Sequence, residues 1–328
     1  MNNRVIYIMM VLFFLSCEPE ELPVNIEGLI NYTQIDLGED YCYQKYYNII
    51  NDMVVGENLI TDWDIAFANN TNSIILNSSR YMRVKAFNIL TASSIEDIIN
   101  NGDWLYDDPN GDIDALAFNN GGDILSKNFF LVDLGYDCET VHLGYTIINI
   151  IDYDNESYYI QTISIDDDGG WVYDSIIEIE KTSNQSYQYF SFSTNTIINL
   201  VNPTWDLCFS RYTEFNVFPP GSNTNGSPLP TYRVVGVLQN NNIFVAVDTI
   251  NDFSSINIDQ IYNYEFSGNR NTIGYNWKYY NAQLGLYAIS SPVYIIQTSS
   301  MAYYKLLFLD FYNAAGKKGA PMFQIEKL

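Results

Sequence analysis

The chain has 328 residues, 39 of them acidic, 15 basic and one histidine, for a formal charge of −24. That charge opposes binding to nucleic acid or to anionic lipid, and a lone histidine, His142, excludes zinc sites built from several imidazoles. With 47% hydrophobic residues, 28 Tyr and 18 Phe, the chain can fill a large core and does not read as disordered.

Residues 1–16 read as a signal peptide. Arg4 is a short positive region, and Val5–Leu15 is an unbroken apolar run too short to cross a hydrocarbon layer of about 30 Å. The run ends Phe14-Leu15-Ser16-Cys17, a small residue directly before a cysteine, as in bacterial lipoprotein signals. Cys17 is therefore the expected lipidation site, and the acyl chains anchor the protein. Residues 17–25 form an acidic tether, in which Glu18-Pro19-Glu20-Glu21 resembles the surface-export signal of Bacteroidota lipoproteins. The expected address is the outer membrane, lipid-anchored and facing outward.

Beyond the tether, strand-like runs rich in Ile, Val, Tyr and Phe dominate. They include Ile74–Leu76, Phe129–Val132, Tyr145–Ile151, Tyr158–Ile165, Tyr232–Leu238, Ile243–Val247, Val293–Gln297 and Tyr303–Phe311. Clusters of Asn, Asp, Gly and Ser separate them at the short spacing of antiparallel hairpins. Ser93-Ser94-Ile95-Glu96 reads as a capping box and predicts a short helix near 94–101. The fold class is mostly β, in antiparallel units with one or two short helices.

The chain also repeats itself. Trp63-Asp64-Ile65-Ala66-Phe67 returns as Trp205-Asp206-Leu207-Cys208-Phe209. Alternation predicts that Trp, the aliphatic residue and Phe share one face while Asp points to a turn. An internal duplication follows, with a first β unit over 26–181, a second over 182–328, and the units either tandem or intertwined. Cys42, Cys138 and Cys208 are odd in number, so an exported chain forms at most one internal disulfide. Cys208 sits in an apolar run and reads as a core residue.

On these residues the sequence resembles the HmuY-type family of Bacteroidota surface lipoproteins. The matching pieces include Gln34–Gly38, Tyr46-Tyr47-Asn48, both Trp-Asp runs, Ser210–Thr213, Tyr232–Val237, Ile273–Lys278 and Tyr304 through Asn313, with Gly316 and Gly319. They read as fold landmarks rather than as ligand-binding residues. The resemblance implies an extracellular all-β binding protein, and in haem-binding members an iron held by His or Met and delivered to a TonB-dependent outer-membrane receptor. One histidine precludes a bis-histidine site within this chain.

If haem is the cofactor, the axial-ligand candidates are His142, Met53, Met82, Met301 and Met322. Arg80, Arg83 and Lys85 form the densest basic run and are the candidate propionate neighbours. Asp108, Asn110, Asp112 and Asp114 place oxygens at alternate positions, a calcium-like spacing that lacks the EF-hand glycine and closing glutamate. Cys138 and His142 alone make too small a set for zinc. No catalytic motif is present, so the expectation is a binding protein and not an enzyme. A glycan-binding or adhesion module, or an accessory subunit of an outer-membrane complex, are the alternatives; the tyrosines suit sugar stacking.

Overall fold

The computed structural model describes residues 31–119, 124–126, 129–165, 170–183, 185–200, 204–219 and 229–328. The signal segment, Cys17, the acidic tether and the Asp166–Asp168 run lie outside these residues. The strands, in chain order, are β1 (Thr33–Gln34), β2 (Tyr43–Asn48), β3 (Met53–Leu59), β4 (Ile65–Ala68), β5 (Ile74–Leu76), β6 (Arg83–Phe87) and β7 (Phe129–Asp133). There follow β8 (Tyr145–Tyr153), β9 (Ser157–Ile165), β10 (Trp171–Tyr173), β11 (Ile177–Glu180), β12 (Tyr187–Ser191), β13 (Thr196–Ile198) and β14 (Leu207–Val217). The last are β15 (Leu229–Gln239), β16 (Phe244–Asp248), β17 (Lys278–Asn281), β18 (Leu286–Ile289), β19 (Val293–Gln297), β20 (Tyr303–Tyr312) and β21 (Lys318–Lys327). Each strand-like run marked out beyond the tether falls on one of these strands, with Ile243 just ahead of β16.

Neighbouring strands run antiparallel. One sheet has the order β1-β21-β20-β19-β16 and a second β15-β14-β2-β3. These two supply a core around Tyr47, Phe209, Trp277, Phe308 and Phe323. A third sheet, β13-β12-β4-β5, and a fourth, β10-β9-β8-β7-β6 with β11 also on β9, supply another core. That core centres on Phe67, Phe118, Phe130, Tyr158 and Phe190. The hairpin β17-β18 stands apart from the four sheets.

Two cores exist, but a cut between residues 181 and 182 does not separate them. The first core takes its N-terminal members from Ile35–Ile49 and the rest from Leu207–Phe323, while the second lies wholly within Ile65–Phe190. β2 pairs with β14, and β12 pairs with β4. Each Trp-Asp strand is thus bordered by a hairpin from the other half of the chain.

The two Trp-Asp segments are held in the same way. The Asp64 N–H donates to the Phe190 carbonyl at 2.8 Å, and its Oδ2 accepts the Phe192 N–H at 2.6 Å. The Asp206 N–H donates to the Tyr47 carbonyl at 2.8 Å, and its Oδ2 accepts the Ile49 N–H at 2.7 Å. Trp63 meets Tyr189 edge-on at 5.0 Å, and Trp205 meets Tyr46 edge-on at 5.3 Å. The expected shared face is corrected here. Trp63 packs with Ala66 and Ile75, away from Ile65 and Phe67, and Trp205 packs with Cys208, away from Leu207 and Phe209. The strands begin only after each Asp, whose bonds to the next strand turn the chain and break the alternation.

The short helix α1 (Ile95–Asn100) forms where expected, with its cap one residue later. Ser94, not Ser93, accepts the Asp97 N–H, and Asp97 reaches back to Ser93. Among the described residues no helix is long and apolar enough to cross a membrane.

Candidate functional site

The largest cavity described, of about 890 Å³, borders the first core, through Tyr41, Val235, Tyr287 and Phe311, and the cluster around Tyr212 and Val234. This volume suits a drug-sized or larger organic ligand. One wall is β14 and β15, through Arg211, Val217, Thr231, Arg233 and Val235. A second is the segment from Tyr275 to Tyr287, and a third comes from Tyr41, Tyr81 and Tyr136.

Local chemistry explains how these walls are held. Gly236 lets β15 approach the Gly274 turn: a Cβ there would lie 2.4 Å from the Gly274 oxygen. The resulting pair of bonds, Val237 N–H to Gly274 O at 2.9 Å and Gly274 N–H to Val237 O at 3.1 Å, fixes the start of the Tyr275–Lys278 segment. Arg211, 6% exposed, donates to the carbonyls of Ser79 at 2.8 Å, Asp137 at 2.8 Å and Asp40 at 3.4 Å. One guanidinium thereby ties β14 to three segments around the cavity. The Tyr81 and Thr231 hydroxyls bond at 2.6 Å beside the cavity. A Cys42–Cys138 disulfide joins the segments bearing Tyr41 and Tyr136, and Cys208 is the buried free thiol.

The lining is unusual in composition. Eight of its residues are tyrosines: Tyr41, Tyr81, Tyr136, Tyr232, Tyr275, Tyr279, Tyr280 and Tyr287. Three are cations, Arg211, Arg233 and Lys278, and among the described residues none is an acid. Arg233 lies 5.2 Å from the Tyr136 ring, and its Nη1 is buried without a hydrogen-bond partner. Lys278 Nζ donates to the Val235 carbonyl and lies over the Trp277 and Phe311 rings at 4.2 and 4.8 Å. Burial pushes its amine down to about 7. Burial, then neighbouring Arg233, lowers Arg211 to about 10. Burial also lowers Arg233. In a chain of charge −24, the cavity thus carries two desolvated guanidiniums, with Asp137 and Asp40 acting on Arg211, and an amine close to its titration point.

The residues singled out from sequence lie elsewhere. Met82 is 1% exposed in the second core, and Met322 is buried on β21. Met53 and Met301 are 52% and 67% exposed, at a strand start and a hairpin tip. His142 bonds Asp133 Oδ1 through Nε2 at 2.8 Å and packs edge-on against Tyr136 at 5.3 Å, so it backs the cavity wall without lining it. No two of these five candidates face one another across the cavity. The candidate propionate cations are engaged as well. Arg80 pairs with buried Asp64, Arg83 pairs with Asp133 at 2.9 Å, and Lys85 donates to Ile98 O and Ile99 O at the end of α1.

The Asp108–Asp114 loop does not converge on an ion. Asp108, Asn110 and Asp112 each accept the N–H two residues on, at 3.0, 2.7 and 3.1 Å, a run of side-chain turns. Among the described residues no group of three or more His, Cys, Asp or Glu is placed to hold a metal.

The cavity residues missed from sequence are the landmarks themselves. Tyr232–Val237 and Ile273–Lys278 carry Arg233 and Lys278, two cations without neighbouring acids in the sequence. That isolation was the available signal.

Residues 183–325 match the HmuY family model, described as HmuY protein. The matched span includes both of those cavity segments. Among solved structures, an apo HmuY analogue of Tannerella forsythia is 11% identical, covering 91% of this chain and 95% of its own, at a TM-score of 0.25. A candidate lipoprotein of Bacteroides fragilis is 15% identical, covering 54% of this chain and 91% of its own, at 0.23. No curated protein matches.

Proposed function

We propose that this HmuY-like chain is a surface lipoprotein that binds a flat, anionic ligand, haem first among them, in the tyrosine-lined cavity and passes it to an outer-membrane receptor of the TonB-dependent type. The observation that carries the reading is the cavity's three cations and eight tyrosines with no acid among its described lining residues. Aromatic faces bury a planar body, while Arg233 receives a carboxylate. Among the described residues no His or Met lines the cavity, so iron would take a tyrosine phenolate, an axial ligand that haem iron accepts. Lipid anchoring through Cys17 and an outward position belong to the same proposal, as does a binding role rather than an enzymatic one.

Haemin titration of the purified protein tests it. A saturable Soret shift is expected for ferric haem and a weaker response after reduction, because a hard phenolate favours the ferric ion. Arg233→Ala should weaken binding. An unchanged Soret band in both redox states would remove haem from the proposal.

The tyrosines also favour a second reading, a glycan-binding cavity. Tyr279 is 54% exposed and faces a partner of any stacking type. Hits on a glycan array without a haemin response would select it.

A further inference from the structure

We propose that Lys278 is an imine-forming amine, which captures a ligand bearing an aldehyde or ketone while Arg233 receives an anionic group of the same molecule. Three buried lysines make the contrast. Lys85 donates to two carbonyls at the end of α1. Lys305 donates to the carbonyls of Phe253 and Ile256 and lies 3.5 Å from Glu326. Both are structural ties away from the cavity. Lys278 is 7% exposed and lines the cavity. Its one hydrogen bond goes to the Val235 carbonyl, and among the described residues no carboxylate lies within ion-pair distance.

Among the described residues no carboxylate therefore holds the proton on Nζ. Aromatic rings surround it, with Tyr287 at 5.9 Å in addition to Trp277 and Phe311. Burial leaves a large share of the amine unprotonated at neutral pH, as a nucleophilic lysine requires. In the step, the Nζ lone pair forms a bond to the carbonyl carbon and the C=O π electrons move to oxygen. The two amine protons go to that oxygen, which leaves as water, and C=N remains. No oxidant or reductant takes part, and the capture is reversible by hydrolysis. The cavity is shared with the haem reading, but no iron chemistry is, so the two fail separately.

The test uses the purified protein and pyridoxal 5′-phosphate, a flat aromatic aldehyde bearing an anion. The imine is trapped with cyanoborohydride and located by peptide mass spectrometry. At equimolar probe and pH 7.5, the expected adduct sits on Lys278, at least tenfold above the exposed Lys317 and Lys327. Lys278→Met should abolish the imine absorbance, and the half-maximal trapping rate should fall near pH 7. A wild-type peptide map with Lys278 unlabelled, or labelled no more than the exposed lysines, overturns the proposal whether or not the variant folds. Labelled Lys278 without any haemin response would keep this inference and remove the haem reading.

Discussion

Replacing Lys278 by methionine should make the protein more stable at neutral pH, and the gain should shrink as pH rises. The amine normally titrates at 10.5 and here at about 7. Between those values the unfolded chain holds a proton that the folded protein sheds, so the unfolded state binds more protons and stability climbs with pH. Each factor of ten costs about 1.4 kcal/mol. Linkage then puts the wild-type deficit at about 4 kcal/mol at pH 7 and about 1 kcal/mol at pH 9.5. Methionine keeps the apolar stem and loses the bond to Val235 O, which offsets roughly 1 kcal/mol at every pH. Urea unfolding of both proteins at pH 7 and 9.5 reads the difference. The stability gap should close by about 3 kcal/mol between the two pH values. A gap independent of pH would show that the amine is solvated and would refute the burial reasoning.

The two Trp-Asp segments make a matched pair for mutation. Asp206→Ala strands the Ile49 N–H and should cost about 1–3 kcal/mol, whereas Asp64→Ala also leaves Arg80 as a buried unpaired charge and should cost about 3–5 kcal/mol by denaturant unfolding. Removing the Cys42–Cys138 bridge with a double serine variant opens a link spanning 96 residues. It should lower stability by about 2–5 kcal/mol and weaken haemin binding, since Tyr41 and Tyr136 lose their tether. Arg211→Met strands three carbonyls around the cavity and should cost roughly 2–4 kcal/mol, with a raised dissociation constant in the same haemin titration.

How much of this was legible in the sequence depends on range. The strands were, because runs such as Val293–Gln297 combine β-branched and aromatic residues with turn-forming flanks. α1 was, within one residue, because Ser93 and Ser94 are both fit to cap it and only packing chooses. The partner of each strand was not. Pairing β2 with β14 joins Tyr47 to Leu207, and nothing local encodes that separation. The site was hidden for a related reason. The basic run Arg80, Arg83 and Lys85 is dense in sequence but is neutralised or capped in space. Arg233 and Lys278 are sparse in sequence and come to one cavity where the Gly236–Gly274 contact and the Lys278 bond to Val235 O hold their segments together. Haem-ligand chemistry directed attention to His142 and the methionines, while the lining is made of the commoner tyrosine.

The two Trp-Asp copies also show why the cavity sits where it does. β4 and β5 span four and three residues and end within their core, whereas β14 and β15 span eleven each. The extra length of the second pair carries Arg211, Val217, Thr231 and Arg233 to the cavity, where Tyr81 and Tyr136 join them. Arg233 disfavours the charge on Arg211, and the carboxylates of Asp137 and Asp40 act the other way. If the proposed ligand sets an anion beside Arg233, it should offset the effect of that guanidinium on Arg211.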